Sequence, residues 1–354
     1  MEFKDLSPRQ WLKIYVPEAV CAFGDPYCFH VKKGDPKKLI VYFCGGGVSW
    51  DRNSAKWPGT PETAALNHVG LYSVCADPIP SLFSMETNQS HGIHSTDETN
   101  PFAHWTEIYI PYATGDFHTG NNDLDFTAAD GSPRVLHHHG YRNVKKVLEK
   151  AVEMFPSVDQ LLICGESAGG FAVPALAGDV MDAFPGCDDV TILCDSAMVP
   201  YEHWAITAHD IWKCPPHIAD PVRGDNIVTD WFTALYEKYG DKPRYLFTCG
   251  CRDHVLMLFW HYVVDEQFIL EESYAQEFTR ALKRMAQDFK TLTPRFSLYI
   301  HDFMKEQLSP GVLHCIIGNT FFTEGVIDGV TPLKWLTDAM AGDLYDVGMG
   351  LLER

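Results

Sequence analysis

Ser167 lies in Gly165-Glu166-Ser167-Ala168-Gly169, directly after the apolar run Leu161-Leu162-Ile163-Cys164. Beyond it, Phe171-Ala172-Val173 and Ala175-Leu176-Ala177 read as a helix. A buried strand that turns into a helix through Gly-x-Ser-x-Gly holds the serine at the strand's end with its hydroxyl exposed for nucleophilic attack. The pentapeptide alone is a weak signal, because glycine, serine and alanine are common. The strand before it and the helix after it make Ser167 the candidate nucleophile.

A serine that transfers acyl groups needs a base, an acid to orient that base, and donors for the oxyanion. Along a chain with this elbow the order is serine, acid, histidine. His314, in the loop Ser309-Pro310-Gly311-Val312-Leu313-His314-Cys315, follows the last strong strand pattern and is the first candidate base. His301 ends a strand and is the second, whereas His203 and His209 come too early. Two aspartates sit at strand ends. Asp253 follows Tyr245–Thr248 across Cys249-Gly250-Cys251-Arg252 and opens a helix; Asp195 directly ends Val190–Cys194 and could merely cap the next segment. Both stay open as the acid. Gly45-Gly46-Gly47 follows the run Leu39–Phe43, where glycine lets the backbone turn its N–H groups toward a ligand. The second donor is expected at Ala168, the residue after the nucleophile. No Gly-Lys-Ser/Thr follows the glycines, so they do not form a phosphate loop. His137-His138-His139 invites a metal reading, but adjacent histidines cannot all face one ion and no partner stands out at ligand spacing. The run reads as a polar stretch before a helix, and neither metal nor cofactor is expected.

Short apolar runs must position these residues. Leu39–Phe43, Glu107–Ile110, Leu161–Cys164, Val190–Cys194, Arg244–Thr248 and Phe296–Ile300 read as strands buried on both faces of a mostly parallel sheet. Tyr141–Met154, Asp230–Lys238 and a long Asp265–Phe289 segment carry helical spacing. This alternation implies an α/β fold, one domain over residues 1–354, with the site at the carboxyl ends of the strands. The polar excursion from Gly45 to about Pro101, with Trp50, Trp57 and Phe83, reads as an ordered wall over that site.

The 354 residues carry a formal net charge of −19, which disfavours nucleic acid and anionic membranes as partners. No run approaches the length of a membrane span. Met1–Ser7 shows no basic segment followed by an apolar one, so a cytoplasmic chain with reduced thiols is expected unless a leader was trimmed.

Several motifs together resemble the pectin acetylesterase family, which includes the Notum carboxylesterases. They are Cys44-Gly45-Gly46-Gly47-Val48-Ser49-Trp50, Asn100-Pro101-Phe102, Ile110-Pro111-Tyr112-Ala113-Thr114-Gly115-Asp116-Phe117-His118, Gly140-Tyr141-Arg142-Asn143-Val144, Gly165–Gly170 and His314. Ser49 and Ala113 stand where the family often carries cysteine, and Val48 where tryptophan is frequent. The resemblance implies an α/β-hydrolase-like fold, with helices on both faces of the sheet and long loops over the site. It implies a metal-free serine esterase with Ser167 as nucleophile, Asp253 as acid and His314 as base. Gly47, Val48 and Ala168 would supply the oxyanion N–H groups, and Trp50 and His118 would stand in the substrate wall. The expected substrate is a small ester or acylated carbohydrate losing a short acyl group. Trp50, Trp57 and Trp105 would offer flat faces to a sugar. A non-catalytic carbohydrate-binding relative, and a peptidase or amidase with the same triad, remain alternatives.

Overall fold

Leu39, Val41 and Phe43 face one side of a sheet and Ile40 and Tyr42 the other, and all five are buried. Burial on both faces is why this run lacks polar alternation. In the computed structural model, which describes residues 3–75 and 91–353, it is the core of β3 (Asp35–Phe43). The other strands are β1 (Trp11–Val20), β2 (Pro26–Lys32), β4 (Trp105–Ile110), β5 (Asn122–Thr127), β6 (Pro133–His138), β7 (Gln160–Glu166), β8 (Asp189–Asp195), β9 (Arg244–Gly250) and β10 (Ser297–His301). Eight of them form one sheet in the order β1-β2-β4-β3-β7-β8-β9-β10. The stretch from β4 to β10 is parallel throughout, and β2 runs against both its neighbours. All six expected strands are present. This is an α/β-hydrolase-like architecture.

Two layers enclose the sheet unequally. Helices Gly140–Met154, Ala168–Ala183, Ile227–Tyr239 and Glu272–Leu292 bury apolar faces in one cluster with Val41, Phe43, Ile163, Ile192 and Phe247. Each buried Val, Leu or Phe there contributes about 1.5–3 kcal/mol. The opposite layer is thinner: helix Pro332–Met340 and irregular segments carrying Ile93, Phe102, Ile316 and Phe322 cover Ile40, Tyr42, Leu162 and Leu246. The helix expected from Asp265 to Phe289 starts later, at Glu272, and runs to Leu292; a separate helix, His254–Asp265, ends where the expected one was to begin. Glu266 adopts a left-handed conformation at φ 55° and ends that separate helix. No helix among the described residues is long and apolar enough to cross a membrane.

A buried ion pair locks β2 to β4. Lys32 and Glu107 face each other across the ladder, Nζ to Oε2 2.9 Å, and His94 Nδ1 lies 2.5 Å from Glu107 Oε1. Burial alone would raise the Glu107 carboxyl, but the charges of Lys32 and His94 outweigh it and hold the group down to about 2.

Candidate active site

Ser167 stands between β7 and the helix Ala168–Ala183 with φ 53° and ψ −126°, a conformation that costs a non-glycine residue about 1–3 kcal/mol. The surroundings enforce it. A Cβ on Gly169 would lie 1.9 Å from the Phe43 carbonyl oxygen, and one on Gly165 2.6 Å from that of Gly169, so strand and helix meet too closely for side chains. The Ser167 N–H donates to the Asp195 carbonyl at 2.9 Å. The side chain is half-buried, reachable from solvent.

The glycine loop meets this elbow. A Cβ on Gly45 would sit 2.7 Å from Ser167 Cβ. The Gly46 carbonyl accepts the Ser73 N–H, and the Val48 N–H donates to the Leu71 carbonyl at 2.8 Å. That second bond corrects the expectation for Val48: its N–H is spent inside the loop and is not offered to an oxyanion. The N–H groups of Gly46 and Gly47 have no backbone partner among the described residues. Ala168 begins its helix without a side-chain cap, so its N–H is one of the unpaired donors at that helix end.

Asp253 and His314 meet. His314 Nδ1 lies 2.9 and 2.7 Å from the two carboxylate oxygens of Asp253. Asp253 is fully buried and also caps helix His254–Asp265, accepting the N–H groups of Val255 and Leu256 at 3.1 and 3.0 Å. Four polar contacts thus offset the cost of burying that carboxylate. With Nδ1 donating to Asp253, His314 Nε2 presents its lone pair; it is buried and without a hydrogen-bond partner among the described residues. Burial pulls the imidazole down, but the charge and hydrogen bond of Asp253, with more distant Asp195 and Glu166, outweigh it and raise the group above its ordinary 6.5. No hydrogen bond joins Ser167 Oγ to Nε2; catalytic contacts of this kind often tighten only in the Michaelis or transition-state complex.

Asp195 does different work. Its Oδ2 accepts the N–H groups of Ile316 and Ile317 at 2.7 and 2.9 Å, and Ser196 Oγ, bonded to its Oδ1, accepts the Cys315 N–H. It therefore clasps the chain just beyond His314 and makes no hydrogen bond with the imidazole. Burial, with the nearby charge of Glu166, pushes this carboxyl up to about 7 despite the donated N–H groups. His301 is fully buried, both ring nitrogens unpartnered among the described residues, and burial holds it near 4.

The expected wall fares differently. Trp50 is buried, its ring packed edge-on against Tyr262 at 5.9 Å. Trp105 is buried at the start of β4, the end of the sheet away from Ser167. Neither presents a flat face to a sugar; both are core, because each ring buries more area than a polar loop could leave exposed. Trp57 is half-buried with one face stacked on His68 at 3.6 Å. Phe83 lies outside the described residues.

His118 also leaves the wall. It is buried beneath the glycine loop, Nε2 2.9 Å from the Cys44 carbonyl and its ring 4.9 Å from that of Tyr112. The whole Thr114–His118 segment is a brace, a role that sequence reasoning did not give it. Gly115 O accepts the Ser49 N–H, Asp116 accepts Thr114 Oγ1 and the Gly140 N–H, and Phe117 stacks on Phe171 at 4.1 Å. It thereby ties the glycine loop to the two helices beside the elbow. The signal was present in Thr-Gly-Asp-Phe-His itself: one buried acid among small residues needs several donors at once.

A sequence model of the pectinacetylesterase family matches residues 11–202, a little over half of the chain. No curated protein matches it in sequence. The matched residues include Gly45–Gly47 and Ser167; Asp253 and His314 lie beyond them and rest on the geometry alone.

Proposed function

The chain belongs to the pectinacetylesterase family and is a carboxylic ester hydrolase; from that premise we propose that Ser167, His314 and Asp253 carry out the reaction. His314 Nε2 takes the proton from Ser167 as Oγ attacks the ester carbonyl. The N–H groups of Ala168 and Gly47, with Gly46 beside it, receive the oxyanion, Val48 being unavailable. Asp253 holds the imidazole in its Nδ1–H tautomer and stabilises the imidazolium. Collapse expels the alcohol, which takes the proton from His314, and water then releases the acid by the same route. The observation that carries this reading is the buried Asp253–His314 contact with Nε2 left open, in a chain whose elbow serine meets a glycine loop.

The pH dependence follows in sign. His314 must be neutral to accept the proton, and its raised pKa places the transition above 6.5. The ratio kcat/KM should fall as pH drops through a value above 6.5. A rate constant flat from pH 5 to 8 on a fast ester would contradict this base.

The family supports acetyl esters as substrates. We assign the alcohol side to a polar, carbohydrate-like group. A chain-length series of p-nitrophenyl esters tests the acyl preference. The expected kcat/KM is highest at acetate or butyrate and falls beyond; a clear maximum at octanoate or longer would overturn it. Release of acetate from acetylated oligosaccharides tests the alcohol.

A further inference from the structure

The histidine run before helix Gly140–Met154 is more than a polar stretch. β5 and β6 form an antiparallel hairpin in which Asp123 faces His137. His138 turns inward and is buried, its Nδ1 2.9 Å from the Thr114 carbonyl. His137 and His139 point the other way, as side chains two apart do on an extended chain. Both converge on one atom: Asp123 Oδ1 lies 2.5 Å from His137 Nδ1 and 2.8 Å from His139 Nε2. The three ligand atoms all lie within 4.8 Å of one another. The side chains of Asp123, His137 and His139 are 54%, 27% and 12% exposed, so the point of convergence opens to solvent.

Hydrogen bonding does not satisfy this cluster cleanly. Arg142 Nη1 lies 3.1 Å from His139 Nε2. A guanidinium only donates, so a nitrogen that serves Arg142 has a lone pair there and no proton for Asp123. Given a proton for Asp123, the same nitrogen cannot accept from Arg142. A cation at the convergence would take the lone pairs of both imidazoles and of the carboxylate together, leaving Arg142 its contacts with Asn121.

We propose that Asp123, His137 and His139 form a surface site for a divalent cation of the zinc class. Two imidazole nitrogens and one carboxylate oxygen suit Zn2+, whereas Ca2+ and Mg2+ prefer an all-oxygen set. Three protein ligands leave the fourth tetrahedral position for water on the open side. At Zn–ligand distances of about 2.0–2.2 Å, Asp123 Oδ1 must move away from the two imidazole nitrogens by roughly 0.5–1 Å, which rotation of the exposed Asp123 side chain supplies. The site joins the hairpin to the start of helix Gly140–Met154, since His139 is the residue before it. It is a structural clasp, independent of the ester chemistry. The Arg142 charge opposes the ion and weakens binding without blocking it.

The test uses the full chain freed of metal with EDTA and then titrated at neutral pH with Zn2+, followed by calorimetry and melting temperature, with Mg2+ as the control. Wild type should bind Zn2+ and melt higher with it. His139→Gln, and separately His137→Gln as a second variant, should weaken that binding at least tenfold, while Arg142→Gln should tighten it. Co2+ in place of Zn2+ should give a visible spectrum without the thiolate charge-transfer band that cysteine ligands produce. No Zn2+ binding by wild type, wild-type affinity retained in both histidine variants, or a thiolate band that survives in them would overturn the proposal.

Discussion

Ser167→Ala is expected to remove ester hydrolysis almost completely, by on the order of a million-fold in kcat. Oγ supplies the new bond to the acyl carbon, and neither alanine nor a water in its place can be held at that point and activated by His314. The substitution should leave the fold intact. The Ser167 hydroxyl does not cap the helix that follows it, and alanine meets the same φ of 53° with no larger side chain. A change in stability below about 1 kcal/mol is anticipated, readable as a small shift in Tm. Turnover within tenfold of wild type, measured on folded variant, would remove Ser167 from the chemistry.

Two aspartates give the second large effect, and they should separate. Asp253→Asn keeps the helix cap, because asparagine caps as well as aspartate. It loses the charge behind His314 and favours the wrong tautomer, since an amide nitrogen can face Nδ1 only as a donor. A loss on the order of ten-thousand-fold in kcat is expected with near-native melting. Asp195→Asn acts elsewhere. Its carboxylate accepts two N–H groups from the chain after His314 and the Ser196 hydroxyl. Weakening that clasp costs about 1–3 kcal/mol of stability and a smaller part of the rate. Measuring kcat and Tm on both variants distinguishes a group that touches the base from one that holds its loop. A larger kcat loss in Asp195→Asn, on folded protein, would transfer the role.

The strands of the central sheet were legible because burial on both faces leaves an unbroken apolar run, as in Leu39–Phe43 and Leu161–Cys164. β1 and β2 were not. Most of β1 is only half-buried or exposed, with Pro17 and Glu18 in its run. β2 is nearly all buried, yet Lys32 within it reads as a surface residue until its partner Glu107 is seen across the ladder. The hairpin of β5 and β6 alternates buried and exposed residues along β5, a short signal easily lost among polar residues. The elbow was legible because its chemistry is local. Five consecutive residues with a strand before and a helix after define it. Asp253 and Asp195 could not be separated on the same terms, since both end parallel strands and only the path of the chain through Val312–Ile317 brings one to His314 and the other to the N–H groups beyond. Val48 failed for a related reason. Which N–H of a glycine loop is free depends on what the loop pairs with, and Leu71 lies too far along the chain to be read as its partner. Asp123 was invisible as a companion of His137 because the ladder, not the spacing, sets them opposite.

The most direct measurement of the central claim is covalent. Wild-type protein treated with a fluorophosphonate ester, which phosphonylates activated serines, should gain the mass of one adduct. Peptide mapping should place it on Ser167, and His314→Ala should slow its formation by several orders of magnitude while leaving the protein folded. A protein that hydrolyses p-nitrophenyl acetate yet carries no adduct, or carries it on a residue other than Ser167, would contradict the account.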